Sequence, residues 1–149
     1  MKRFKFTLES VLALRHFRKM EAAGELSAAS RFRQIASSRL ERGHEELESL
    51  RFGVSKALSP SGKAAEVQRI QAALLKQKEA VTQLRQSYLE SVEKEAEARK
   101  AVLEAQREYK ALLKLESKQR ERARKEADKE DEKVMQEFVS AQHVLVKGG

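Results

Sequence analysis

The stretch LSPSGK, residues 58–63, contains the sole proline of a 149-residue chain and one of its six glycines, with another at Gly53 just before it. A proline with no backbone N–H beside a glycine that favours turns stops a helix. What flanks this break decides whether it links two domains or forms the tip of one hairpin. On the N-terminal side there is no other proline. Apolar or small residues recur there at three-to-four spacing: Leu26, Ala29, Ala36, Leu40, Gly43, Leu47, Leu50, Val54 and Ala57, with Arg33 filling the one gap. Phe32 and Ile35 sit beside this stripe, so the buried face is expected to widen there. Gly24 and Gly43 each weaken a helix by roughly 1 kcal/mol relative to Ala. Thr7 is the candidate N-cap, giving a first helix over about 7–57.

On the other side a heptad register runs through Val67, Ile70, Leu74, Gln77, Val81, Leu84, Tyr88, Ser91, Glu95, Ala98, Val102, Ala105, Tyr109 and Leu112. Ser91 and Glu95 are its polar interruption. From Glu116 to Lys133 the stripe fades into alternating charges, and MQEFVSAQHVLV becomes amphipathic again before two terminal glycines. The second helix is therefore expected over about 64–145, with its last turns overhanging or fraying. Neither half has enough large apolar residues for a core of its own, yet each has one narrow stripe to bury. A short Pro/Gly break lets consecutive helices bury their stripes on each other. The expected fold is all-α: two long helices forming an antiparallel coiled-coil hairpin over 1–149, with 58–63 as the tip. The first arm would be about 75 Å long at roughly 1.5 Å per residue. Heptad stripes also suit a parallel dimer or a multi-helix bundle.

Composition points the same way. Charged residues make up 36% and aromatics 5%, without tryptophan, which is the usage of long helices rather than of a compact globule. There is no cysteine, so disulfides, thiolate metal sites and thiol nucleophiles are excluded. Glu9, Ser10 and Arg15 interrupt the apolar run that a signal peptide would need after MKRFKF. No segment approaches the length of a membrane span, so a cytoplasmic protein without direct membrane insertion is expected.

The net charge of +8 admits nucleic acid, acidic lipid or an acidic protein surface as partner. Folding at Pro60 brings Lys2, Arg3, Lys5, Arg15, Arg18 and Lys19 beside Lys114, Lys118, Arg120, Arg122, Arg124 and Lys125, diluted by Glu9, Glu116 and Glu121. That end reads either as a docking surface for an acidic partner or as a solvated coiled-coil face with helical ion pairs. Chemistry is hard to place. His16, His44 and His143 lack ligand spacing, and a two-helix rod offers no desolvated pocket for a general acid. SPSGK ends in Gly-Lys but lacks the first glycine of a phosphate loop and a preceding strand. RERARK has no stacking aromatics and is followed at once by Glu126, Asp128, Glu130, Asp131 and Glu132, which argues against nucleic acid. MQEFVSAQHVLV carries too little positive charge for a membrane-surface helix.

A first stretch, FKFTLESVLALRHFRKMEAAGELSAA, through Phe6, Leu8, Val11, Leu12, Leu14, Arg15, Ala22, Ala23 and Leu26, resembles the start of the FliJ family, the small coiled-coil proteins of the bacterial flagellar export apparatus. The second is LLKLESKQRERARKEADKEDEKVMQEFV, through Leu115, Gln119, Met135, Glu137 and Phe138; Gln136 departs from the Asp frequent in the family. The related stalk of virulence-type secretion systems has the same shape. The resemblance implies an antiparallel two-helix coiled coil like the shaft of a rotary ATPase, without catalysis or cofactor of its own. It implies a cytoplasmic protein peripherally associated with the inner-membrane export apparatus. Its terminal end would insert into the hexameric export ATPase ring and promote ring assembly. The stalk would also contact the cytoplasmic domain of the export gate protein and bind export chaperones. Phe6, Leu8, Leu12, Arg15, Arg120, Arg122, Met135 and Phe138 are the residues it places near the ATPase. The gate-binding surface would lie nearer the Pro60 tip. A basic coiled-coil adaptor or nucleic-acid binder is the alternative.

Overall fold

A computed structural model describes residues 3–58 and 63–147, with the side chain of Lys147 excepted. Two helices account for nearly all of them: α1, Glu9–Ala57, and α2, Ala64–Lys147. No strand occurs among the described residues. The fold is all-α, two long helices in an antiparallel coiled-coil hairpin. Ser59, Pro60, Ser61 and Gly62, the centre of the expected tip, lie outside the described residues, as do Lys2 and the two terminal glycines.

The helix ends have local causes. α1 opens at Glu9 rather than at Thr7: the Leu8 carbonyl accepts the first i→i+4 bond, from Leu12 N–H at 2.9 Å. Burial of Phe6, 7% exposed, holds the chain ahead of it, and Glu9 in the first turn favours the positive end of the helix dipole. α2 opens at Ala64, and the carbonyl of Lys63 just before it accepts from Glu66 and Val67 N–H at 3.1 and 3.2 Å. Glu66 is the acid of its first turn.

The chain divides into two compact units, Met20–Glu104 and Met1–Lys19 with Ala105–Gly149. In the first of these the numbering of paired residues shows antiparallel order: Arg33 meets Glu95, Gly43 meets Val81 and Leu84, and Gly53 meets Ile70. The stripe residues of both helices are buried or half-buried here, with Ala22, Leu47 and Val81 the most enclosed apolar side chains. At Gly43 the helices approach closely: an added Cβ would stand 2.8 Å from Leu84 Cδ1. The Gly43 carbonyl accepts a hydrogen bond from Gln77 Nε2 at 3.1 Å, so a polar seam residue is satisfied where a side chain would block the approach.

The polar interruptions of the two stripes face each other. Glu95, 8% exposed, receives Arg33 of α1 and, at 3.1 Å, Arg99 one turn along α2. A carboxylate so enclosed is tolerable only with its charge paired, and a polar seam position fixes axial register at a cost in stability. Phe32 and Ile35 correct the expectation of a wider buried face: they are 68% and 42% exposed. A helix pair has one seam, and a side chain one position off it has no second layer above.

In the other unit the order is again antiparallel, Phe4 near Arg120, Arg15 with Glu108 and Lys19 over Tyr109. The seam does not fade at Glu116. Glu116, Gln119 and Ala123 continue the heptad count and are half-buried. From Arg124 to Val146 every residue of α2 is exposed.

Candidate partner-docking site

The residues assigned to docking lie in the unit built from both chain ends, and they divide by whether they make contacts within that unit. Phe6 is buried, and its carbonyl accepts from Glu9 N–H at 3.2 Å. Phe4, Phe6 and Leu12 line a cleft of about 100 Å³ with Glu116 and Arg120 of α2. Arg120 Nη2 donates to Glu116 Oε1 at 2.9 Å, and its guanidinium carbon lies 5.2 Å from the Phe4 ring centroid. A cation over an aromatic face is worth about 0.5–1 kcal/mol at a surface site. Arg120 thus ties the segment before α1 to α2, although its side chain is 66% exposed.

Farther along α1, Arg15 donates to Glu108 in a half-exposed pair. Tyr109 receives Lys19 Nζ at 4.9 Å from its centroid and the His16 ring at 5.3 Å, tilted by 48°. These contacts hold α1 on α2. Phe6, Leu12, Arg15 and Arg120 are therefore used inside the unit. Leu8, Arg122, Met135 and Phe138 face outward, with Met135 64% and Phe138 59% exposed. The structure brings Phe6, Leu12 and Arg120 together. It leaves Met135 and Phe138 apart from them, at least fifteen residues beyond Arg120 on α2, about 22 Å at the rise of a helix.

Charge accumulates around this unit. Arg3, Lys5, Arg18, Lys114, Lys118, Arg122 and Arg124 are exposed and have no ion-pair partner among the described residues. Phe4 and Glu108 are the participants that the sequence reading passed over, and Glu116 it took only as a charge diluting the basic end. For Glu116 the signal was present: counting the heptad four residues past Leu112 puts it in the seam. For Phe4 none existed, because its role depends on the packing of Arg120. Among the described residues no group of three or more His, Asp or Glu is arranged to hold a metal ion, and no helix is long and apolar enough to cross a membrane.

The arrangement can hold an acidic surface against the exposed cations and an apolar one against the outward face of late α2. A family model described as flagellar FliJ protein matches residues 4–147. Among solved structures, a YscO homolog from Chlamydia trachomatis aligns with a TM-score of 0.82 over 99% of each chain at 16% identity. At that identity the likeness is one of fold. No curated protein sequence matches the chain.

Proposed function

The chain belongs to the FliJ family, and from that premise we propose that it is the non-enzymatic stalk of a flagellar type III export apparatus. The family match across residues 4–147 carries the reading, and the two-helix antiparallel seam supports it. In this reading late α2 enters the hexameric export ATPase ring. Met135 and Phe138 supply apolar contact there, and Leu8 and Arg122 complete the surface. Phe6, Leu12, Arg15 and Arg120 act indirectly, by holding α1 on α2 in the orientation that presents those side chains. The nucleotide sites belong to the ring, and the stalk promotes its assembly. The protein is cytoplasmic and peripheral to the inner-membrane apparatus.

The export gate's cytoplasmic domain is assigned to the other unit. An open groove there is lined by Leu40, His44, Phe52 and Tyr88 and edged by Glu41, Glu45 and Glu48. Phe52 is 70% exposed, which suits an apolar anchor from a partner. Export chaperones are further partners on this reading.

The test is a titration of the full chain into the export ATPase of the same organism, following hydrolysis and ring formation together. Both should rise and saturate at about one stalk per closed ring. Met135→Asp with Phe138→Asp should abolish the effect without altering helix content. If neither quantity moves and the proteins do not co-elute, the stalk reading fails. The YscO-like fold favours one alternative, the stalk of a virulence-type system. Restoration of motility in a flagellar stalk deletion supports the first reading over the second.

A further inference from the structure

We propose that a second copy of this chain docks its segment 128–138 into the apolar groove beside Phe32 and Ile35, with that segment antiparallel to α1. In the Met20–Glu104 unit, Ala28, Phe32, Ile35 and Ala36 of α1 and Leu84 of α2 line an open groove of about 510 Å³. Its rings and branches are exposed to an extent that the hairpin's single seam cannot relieve. Arg39 lines the same groove, and Arg31, Arg39 and Arg42 edge an adjoining cleft that shares Ile35. All three arginines are exposed and have no ion-pair partner among the described residues.

Late α2 carries the complement. Glu126, Asp128, Glu130, Asp131 and Glu132 are exposed, without an ion-pair partner among the described residues, and Lys129 is the one basic residue between them. Val134, Met135, Phe138 and Val139 follow, each between 58% and 64% exposed.

The spacing selects the pairing. Phe32, Ile35, Arg39 and Arg42 succeed one another at three, four and three residues, which places them on one face of α1. Asp128, Asp131, Met135 and Phe138 follow the same three-four-three spacing on α2. The order of apolar and charged members is reversed between the two. Laid antiparallel, Phe32 meets Phe138, Ile35 meets Met135, Arg39 meets Asp131 and Arg42 meets Asp128. Parallel alignment would put arginine on phenylalanine and aspartate on phenylalanine. Matched charges at the edge of an apolar contact set register and partner. A phosphate backbone fits less well: the groove floor is apolar, and Glu25 and Glu90 line it too. The pairing stands without the stalk reading. Joined to that reading, it covers Met135 and Phe138 of the docking copy, which is thereby withheld from the ATPase ring.

Sedimentation of the full chain from low micromolar to several hundred micromolar tests the inference. The mass should rise above the 17.0 kDa of one chain, and added salt should reverse the rise. Arg39→Glu with Arg42→Glu, or Asp128→Arg with Asp131→Arg, should each weaken association at least tenfold. The variant carrying all four changes should regain it. Because the chain has no cysteine, Phe32→Cys mixed with Phe138→Cys should also yield a disulfide-linked pair under mild oxidation. A chain that stays at one mass throughout overturns the inference. So does association that ignores the charge reversals, or that the four-change variant fails to restore. A chain that remains single yet stimulates the ATPase overturns the pairing and leaves the stalk reading; a chain that pairs but does not touch the ATPase does the reverse.

Discussion

At Gly24 no atom lies within 4 Å of an added Cβ, whereas at Gly43 the added carbon would stand 2.8 Å from Leu84 Cδ1 and 3.4 Å from Val81 Cγ2. The two glycines weaken α1 equally by propensity, and only the seam tells them apart. Gly24→Ala should stabilise by up to about 1 kcal/mol, raising the thermal midpoint by roughly 3 °C. Gly43→Ala should change little, since the helix gains what the displaced tip of Leu84 loses. Gly43→Leu should cost about 1–3 kcal/mol by forcing the helices apart. Thermal melts of the three variants, read by helix signal, check the order; equal effects at both glycines would contradict the close approach. Glu95 makes a second prediction. Its side chain is 11% exposed and that of Arg33 is 33% exposed, so the pair is partly screened. Glu95→Ala should cost about 1–3 kcal/mol, below the range for a fully buried pair. Arg33→Leu with Glu95→Leu should restore or exceed the original midpoint while loosening the register. Denaturant melts check the first result, and cross-links between engineered cysteines at neighbouring heptad positions check the second.

At the scale of the element, α2 is one continuous helix held in two different ways. As far as Ala123 its seam positions are half-buried or better. Beyond that, the described residues rest on local terms: helix-favouring Ala, Glu, Lys, Arg and Gln and i,i+4 pairs such as Glu121 with Lys125. No packing adds to those terms, because every residue from Arg124 to Val146 is exposed. A chain stopped after Lys133 should therefore keep its thermal midpoint within about 2 °C, although it loses Met135 and Phe138. A drop much larger than that would mean that late α2 supports the seam. Stopping after Glu116 is a harsher cut, because it removes Arg120 from Phe4 and takes Gln119 and Ala123 out of the seam. The heptad from Val67 to Leu112 was readable because each position repeats the same demand for burial. The continuation through Glu116 and Gln119 could be reached only by counting on in the same register, since apolar character had ended while geometry had not.

For the molecule as a whole, the two-stripe pattern was enough to read an antiparallel all-α hairpin, and Arg33 and Glu95 were visible as gaps before they were visible as partners. The docking residues were less legible. Phe6 and Arg120 look like surface candidates in a list of motifs, but one is buried and the other is tied to Glu116 and Phe4. Phe32 and Ile35 look like core, and only the absence of a second layer exposes them. Side-chain chemistry states a preference, and the number of layers decides whether it is met. That thin layering has a calorimetric consequence. The chain exposes 12662 Å², against about 7700 Å² for a compact protein of its mass. Unfolding therefore uncovers about half of the extended chain's surface in place of the usual 70%. The heat-capacity increment should be roughly two thirds of the norm for its length, and the urea m-value should shrink in proportion. Scanning calorimetry should show a broad transition of low curvature. A full-sized increment would mean that much more surface is covered, for example by paired copies at calorimetric concentration. A folding free energy with so little curvature turns down only weakly on cooling, which moves cold denaturation to lower temperature.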